Sequence, residues 1–154
     1  LGRVTPVEPT AEPLVRALER IHRDKGVTIT MKVADSAKFQ GEKHDLEEML
    51  GNLLDNACKW CRKRVYLTAT VVPAGASLQS AKRLTVCVED DGPGVTPQQR
   101  AKIGKRGLRL DETKPGTGLG LSIVGDLAAS YRGAMRLDAS DYGGLLVVLD
   151  LPAA

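Results

Sequence analysis

Two asparagines four residues apart, inside an otherwise apolar and acidic stretch, are the first feature of this chain that invites chemistry. In Asp45-Leu46-Glu47-Glu48-Met49-Leu50-Gly51-Asn52-Leu53-Leu54-Asp55-Asn56-Ala57-Cys58-Lys59-Trp60-Cys61, a helical turn of 100° per residue gathers Leu46, Met49, Leu50, Leu53, Leu54 and Ala57 on one arc. Glu48, Asn52, Asn56 and Lys59 then fall on a polar line roughly opposite. A solvated face usually favours Glu, Lys, Gln and Arg, because mid-helix Asn costs roughly half a kcal/mol relative to Ala. Carboxamide oxygens can coordinate a hard cation without adding another full negative charge, and the amide donors can meet phosphate oxygens. Lys59 sits one turn beyond Asn56, close to the same anion. Taken alone, the helix is equally readable as an ordinary wet face.

Two more stretches carry chemistry. Val88-Glu89-Asp90-Asp91-Gly92-Pro93-Gly94 directly follows a strand pattern. Asp90 would end that strand with its carboxylate turned inward, able to accept a hydrogen bond from an exocyclic amine, while Gly92 and Gly94 let backbone approach a flat ligand. The plain alternative is an acidic turn. Pro115-Gly116-Thr117-Gly118-Leu119-Gly120-Leu121-Ser122 opens a helix. Glycines at alternate positions leave N–H groups to wrap phosphates at the positive helix end. The alternative there is a hinge. No G-K-[S/T] follows at Walker spacing, G-x-G-x-x-G fails, and the H-R-D and D-F-G boxes of protein kinases are absent.

The elements that must position these residues are readable in outline. Pro13–Lys25 has Leu14, Val15, Leu18 and Ile21 at helical spacing, stopped by Gly26. Val27–Val33 alternates as a strand, with a second short strand around Lys38–Gln40. A helix over His44–Cys61 precedes strands at Arg64–Val72 and Arg83–Glu89, joined by a soft connection over 73–80. Thr96–Pro115 reads as a long loop with one short helix, Gly118–Arg132 as a helix. Ala134–Ala139 and Leu145–Leu151 form a closing hairpin turned at Asp141-Tyr142-Gly143-Gly144. This order predicts a mixed sheet with helices on one face.

At 154 residues and 42% apolar, the chain can build one domain with its own core. Twenty-two Lys and Arg against nineteen Asp and Glu leave a net +3, far from a polyanion-binding excess. The aromatic residues Phe39, Trp60, Tyr66, Tyr131 and Tyr142 are too few for a nucleic-acid stacking platform. No apolar run approaches the roughly 18 to 20 residues that cross a bilayer, and no basic stretch leads into an apolar one at the start. The chain begins at Leu1 and is expected to be a piece of a longer protein. Cys58-x-x-Cys61 lacks a second ligand pair for zinc and sits near a helix end, so Cys58, Cys61 and Cys87 are expected as free thiols of a reducing cytoplasm.

In order, E-x-x-x-N-x-x-x-N-A-x-K, D-x-G-P-G and G-x-G-x-G-L resemble the ATP-binding domain of sensor histidine kinases, within the gyrase, Hsp90, histidine kinase and MutL superfamily. The stretches Gly51–Cys61 and Val88–Gly94 look especially like the PhoQ type of sensor kinase. The resemblance covers nearly the whole chain. It implies a Bergerat-type α/β sandwich of the α+β class: a mixed, mostly antiparallel sheet of about five strands, about three helices on one face, and a mobile ATP lid. It implies ATP and Mg²⁺ as cofactors. Asn52 would ligand Mg²⁺, Asn56 and Lys59 would meet phosphates, and Trp60 would border the adenine. Asp90 would bind the adenine amino group, with Gly92 and Gly94 beside it. Gly116, Gly118 and Gly120, with Thr117 and Leu119 between them, would wrap the phosphates. Arg106 and Arg109 match lid arginines able to neutralise charge on the γ-phosphate. Glu48 matches an acidic position sometimes assigned to a general base, or to a water-mediated metal contact. The implied catalytic set is Glu48, Asn52 and Arg106.

Charge placement agrees with this picture. Residues 42–55 hold five acids against one base, and residues 100–114 hold six bases against two acids. The metal belongs near the first group and the triphosphate near the second. The chain departs from the family in two places: Gly104 stands where a lid aromatic precedes Arg106, and no phosphoacceptor histidine box is present. His44-Asp45-Leu46 lacks the following Arg-Thr-Pro, and His22 lies on an ordinary amphipathic helix. Residues 1–154 are therefore expected to be one catalytic domain, separate from its dimerisation, sensor and membrane segments. The expected partners are the histidine-containing dimerisation domain of the same kinase and a response regulator, without nucleic acid or direct membrane contact. The expected location is the cytoplasmic side of an inner-membrane sensor. Two alternatives stay open: an ATPase with Glu48 as base, and a nucleotide-sensing module without catalysis.

Overall fold

A computed structural model of the chain describes residues 3–73, 81–102 and 119–154. Strand β1 (Val4–Pro6) leads into helix α1 (Val7–Ile21), and a 3₁₀ turn over Arg23–Lys25 ends at Gly26 in the left-handed region, φ +78°. Strands β2 (Thr28–Val33) and β3 (Lys38–Gln40) precede the long helix α2 (Lys43–Trp60). Then come β4 (Arg64–Val72), β5 (Arg83–Asp90), the short α3 (Pro97–Lys102), α4 (Leu119–Ser130), β6 (Ala134–Ala139) and β7 (Leu145–Pro152).

Five strands form one sheet in the order β2-β4-β5-β7-β6. The β2–β4 pair is parallel and the other neighbours are antiparallel. A parallel pair needs a crossover, and α2 is part of that connection. β1 and β3 pair separately, and Phe39 of β3 bridges to Ala153. Along β4, β5 and β7 the inward side chains alternate: Val65, Leu67, Ala69; Leu84, Val86, Val88; Val147, Leu149, Leu151 are all buried. The period of two places them under the helices.

The apolar arc of α2 is buried as its spacing requires, from Leu46 through Ala57. α2 packs against both α1 and α4, and Cys58 and Asn56 are buried as well. The expected polar line of α2 is therefore not an open face at Asn56, which is 9% exposed. The sheet, the hairpins and the short helix in the loop after residue 96 agree with the sequence reading. Thr96 opens α3 with a capping box: its Oγ1 accepts from Gln99 N–H at 3.1 Å, and Gln99 Oε1 accepts from Thr96 N–H at 2.8 Å.

α1 corrects the reading. It starts at Val7, six residues before Pro13, and Pro13 lies inside it. Pro9 falls in the first turn, where its missing N–H has no intrahelical partner to lose. Burial of Val7, Ala11, Val15 and Leu18 marks the true inward face. Ile21, placed on that face by spacing, is 71% exposed because the helix gives way there to the 3₁₀ turn. β5 ends at Asp90, one residue past the alternating run and facing inward as its acidic turn predicts, and α4 ends at Ser130, two residues short of Arg132. The thiols of Cys58, Cys61 and Cys87 are free, and burial pushes Cys58 up to about 12. Such thiols are poor nucleophiles and metal ligands.

Candidate nucleotide site

The site is built where α2 ends against the loop after β5. Asp90 is the last residue of β5 and alternates inward, so its carboxylate is 3% exposed. Burial raises its pKa to about 6, opposed by hydrogen bonds from the backbone N–H groups of Gly92 and Leu145. Oδ1 accepts from Gly92 N–H at 2.8 Å. This is a carboxylate kept out of water and oriented by backbone donors, an acceptor built for a specific donor.

Glycines make the approach. A Cβ at Gly92 would lie 2.3 Å from the Trp60 carbonyl oxygen. Only glycine lets the Asp90–Gly92 turn seat against the last residue of α2. Gly94 has φ +73°, and a Cβ there would meet the Gly143 carbonyl oxygen at 2.8 Å. The neighbouring Asp91 points the other way. It accepts from the N–H groups of Arg62 at 2.8 Å and Lys63 and Arg64 at 3.1 Å, tying the α2–β4 connection to the same loop. Partial burial works against its charge, but the backbone donors of Arg64, Lys63 and Arg62 hold its carboxyl below the usual range. A cleft of about 390 Å³ beside Gly92 is lined by Arg62, Asp91, Pro93, Tyr142 and Gly143.

The other end lies two turns back along α2. Asn52 donates from Nδ2 to the Glu48 carbonyl at 2.8 Å. Its Oδ1 lies 3.1 Å from where a Cβ of Gly120 would stand, at the start of α4. That carboxamide oxygen thus faces the positive end of a twelve-residue helix. Eight residues separate Asn52 from Trp60, about 12 Å of helix, so a ligand touching both ends is elongated. Lys59 Nζ pairs with Asp55 Oδ2 at 3.0 Å, and the other Asp55 oxygen lies 3.1 Å from His22 Nε2. His22 is thus tied to α2 rather than lying on a plain amphipathic face. Glu48 pairs with His44 at 3.8 Å.

The structure thus joins Trp60, Asp90, Gly92 and Gly94 at one end, and Asn52, Glu48 and Gly120 at the other. Arg106, Arg109, Gly116, Thr117 and Gly118, with the Gly104 position, lie outside the described residues, as does the side chain of Leu119. Sequence reasoning took Gly143-Gly144 only as a hairpin turn. The structure brings that turn onto Asp90, where Gly144 N–H donates to the Asp90 carbonyl at 3.1 Å. Gly-Gly is ordinary hairpin chemistry, so nothing local in the sequence marks this contact.

The donor set fits the implied ligands. Asp90, held by two backbone N–H groups, suits an amine donor. Among the described residues no group of three or more His, Cys, Asp or Glu could hold a metal alone. A single carboxamide oxygen suits Mg²⁺, which keeps several waters and takes its remaining ligands from substrate phosphates.

Comparison with known proteins agrees with this geometry. The family described as histidine kinase-, DNA gyrase B- and HSP90-like ATPase matches residues 41–154. The chain is 37% identical over 139 residues to the virulence sensor histidine kinase PhoQ of Salmonella typhimurium, covering 90% of this chain and 27% of that protein. It thus spans about a quarter of that relative's length. Among solved structures, a mycobacterial sensor histidine kinase, MprB, superposes with a TM-score of 0.78 at 27% identity, covering 99% of this chain and 98% of that one. Full-length ShkA in complex with AMPPNP gives 0.75 at 28% identity, covering all of this chain and 32% of that one. With three motifs in order along the sequence and a family match over residues 41–154, the chain belongs to the histidine kinase-, DNA gyrase B- and HSP90-like ATPases.

Proposed function

We propose that the chain is the ATP-binding catalytic domain of a sensor histidine kinase. In this reading it holds Mg·ATP and presents the γ-phosphoryl group to a histidine on a separate dimerisation domain, for relay to a response regulator. The observation that carries the reading is the buried, backbone-held carboxylate of Asp90 within a glycine cradle at the end of α2. Asp90 accepts the adenine amino group, with Trp60, Gly92 and Gly94 around the base. Asn56 and Lys59 meet phosphates, Lys59 exchanging Asp55 for a phosphate oxygen. Gly120 and the glycines before it supply backbone donors. Asn52 would hold Mg²⁺, with Glu48 reaching it through water; the ion would neutralise charge on the phosphates. Arg106 and Arg109 face the γ-phosphate in this reading, and the protein's contribution is positioning and charge neutralisation.

The relatives' names, both sensor histidine kinases, support the kinase reading; in this reading the domain works on the cytoplasmic side of an inner-membrane sensor. No described helix is long and apolar enough to cross a membrane. The test is to incubate the chain with γ-labelled ATP and a supplied dimerisation domain carrying its histidine. The reading predicts an acid-labile, alkali-stable phosphohistidine on that domain and little free phosphate without it. Rapid phosphate release by the chain alone, lost in Glu48→Gln, would instead favour the ATPase reading. ATP binding with neither product would favour a sensing module.

A further inference from the structure

Gly144 sits where no other residue fits. A Cβ built on it lies 2.0 Å from Asp90 Oδ1, 2.4 Å from the Asp90 carbonyl oxygen and 2.8 Å from its carbonyl carbon. Its N–H is bonded to that same carbonyl at 3.1 Å, so the turn cannot retreat without losing the contact. The turn is fastened at further points. Ser140 N–H donates to the Gly144 carbonyl at 2.8 Å, and Gly143 N–H to the Ser140 carbonyl at 3.0 Å. Ser140 Oγ donates to Glu89 Oε1 at 2.7 Å and accepts from Tyr142 N–H at 3.0 Å. Tyr142 stacks on Tyr66 with ring centroids 4.0 Å apart. Gly143 itself takes φ +105°. The wall against which the Asp90 carboxylate rests is therefore rigid, and it comes from a hairpin more than fifty residues further along the chain.

We propose that Gly144 is a specificity-determining positioning residue: having no side chain, it lets the Asp90 carboxylate lie flat against the β6–β7 turn, in the orientation that accepts the 6-amino group of adenine. This rests on the reading of Asp90 as the adenine acceptor. A methyl group at 144 must push the carboxylate off the Gly92 N–H or open the end of the β5–β7 ladder. In either case the acceptor no longer faces the amine. A purine with an oxygen at position 6 offers the carboxylate an acceptor instead of a donor, so the orientation of Asp90 decides between the two bases.

The test is calorimetric titration of ATP and inosine triphosphate into the chain, with circular dichroism to check folding. The parent is expected to prefer ATP by about tenfold to a hundredfold, the scale of a hydrogen bond to a charged group. Gly144→Ala should bring the preference to within about threefold while the chain stays folded. In the Asp90→Ala background, adding Gly144→Ala should leave the remaining preference unchanged. A merely structural glycine would weaken both nucleotides equally and leave the parent's ratio in place, which overturns the proposal. If Gly144→Ala does not fold, the Asp90→Ala, Gly144→Ala double variant decides. A cooperative melt regained on removing the carboxylate supports the contact; a double variant that folds and still prefers ATP as strongly as the parent overturns it. Undiminished ATP preference in Asp90→Ala alone would sink the adenine-acceptor reading itself, a result distinct from a Gly144→Ala variant that behaves as the parent.

Discussion

Burial lifts the Asp90 carboxyl from 3.8 to about 6, against the pull of the Gly92 and Leu145 N–H groups. A carboxyl whose folded value exceeds its unfolded value holds its proton more tightly in the native state. Its contribution to stability is therefore fully present below about pH 4 and lost as pH rises through about 6. Asp90→Asn, a neutral replacement of similar shape, should remove that loss and so gain stability relative to the parent as pH rises from about 4 to 7. Urea denaturation between about pH 4 and 7 checks this, and a variant with the parent's pH slope would contradict it. The gain in stability should come with lost adenine-nucleotide affinity, the trade expected where a fold holds an ionised group for a ligand. Asn52→Ala tests the other end. It should abolish the tightening of ATP binding by Mg²⁺ while changing the Mg²⁺-free affinity by less than about threefold, read by calorimetric titration with and without the ion.

At the scale of elements, α2 is the ruler of the site, and its end is held by a residue from another element. Lys25 Nζ donates to the carbonyls of Cys58 at 2.9 Å and Lys59 at 2.8 Å. These are among the last carbonyls of α2, which have no intrahelical partner. Lys25→Met keeps the aliphatic stem and should lower stability by about 1 kcal/mol, seen as a fall in Tm of several degrees; an unchanged Tm would mean water serves those carbonyls equally well. α2 was legible from sequence because its apolar arc repeats cleanly over five turns. The start of α1 was not. Pro9 and Pro13 read locally as breakers, yet Val7 and Ala11 bury completely against the core, and that tertiary gain outweighs one missing hydrogen bond inside the helix. Asn56 shows the same limit. Its polarity placed it on a wet line, yet it is buried in the fold.

At the scale of the molecule, the sheet brings together residues that local patterns cannot relate. The strand runs and their hairpins were readable from alternation. The parallel β2–β4 pair and the landing of Gly143-Gly144 on Asp90 follow from the order β2-β4-β5-β7-β6, which no local stretch encodes. Asp90, Gly92 and Gly94 were readable because one acidic turn carries all three; their partner turn lies about fifty residues away. The central claim is that these parts form one site for Mg·ATP. Its most direct test is the melting temperature of the chain with a non-hydrolysable ATP analogue, with and without Mg²⁺, and with GTP for comparison. Near a hundred times Kd the ligand should add about 2.7 kcal/mol of stability. The account predicts a rise in Tm that Mg²⁺ enlarges and GTP does not reproduce. No rise at saturating analogue, or an equal rise with GTP, would contradict it.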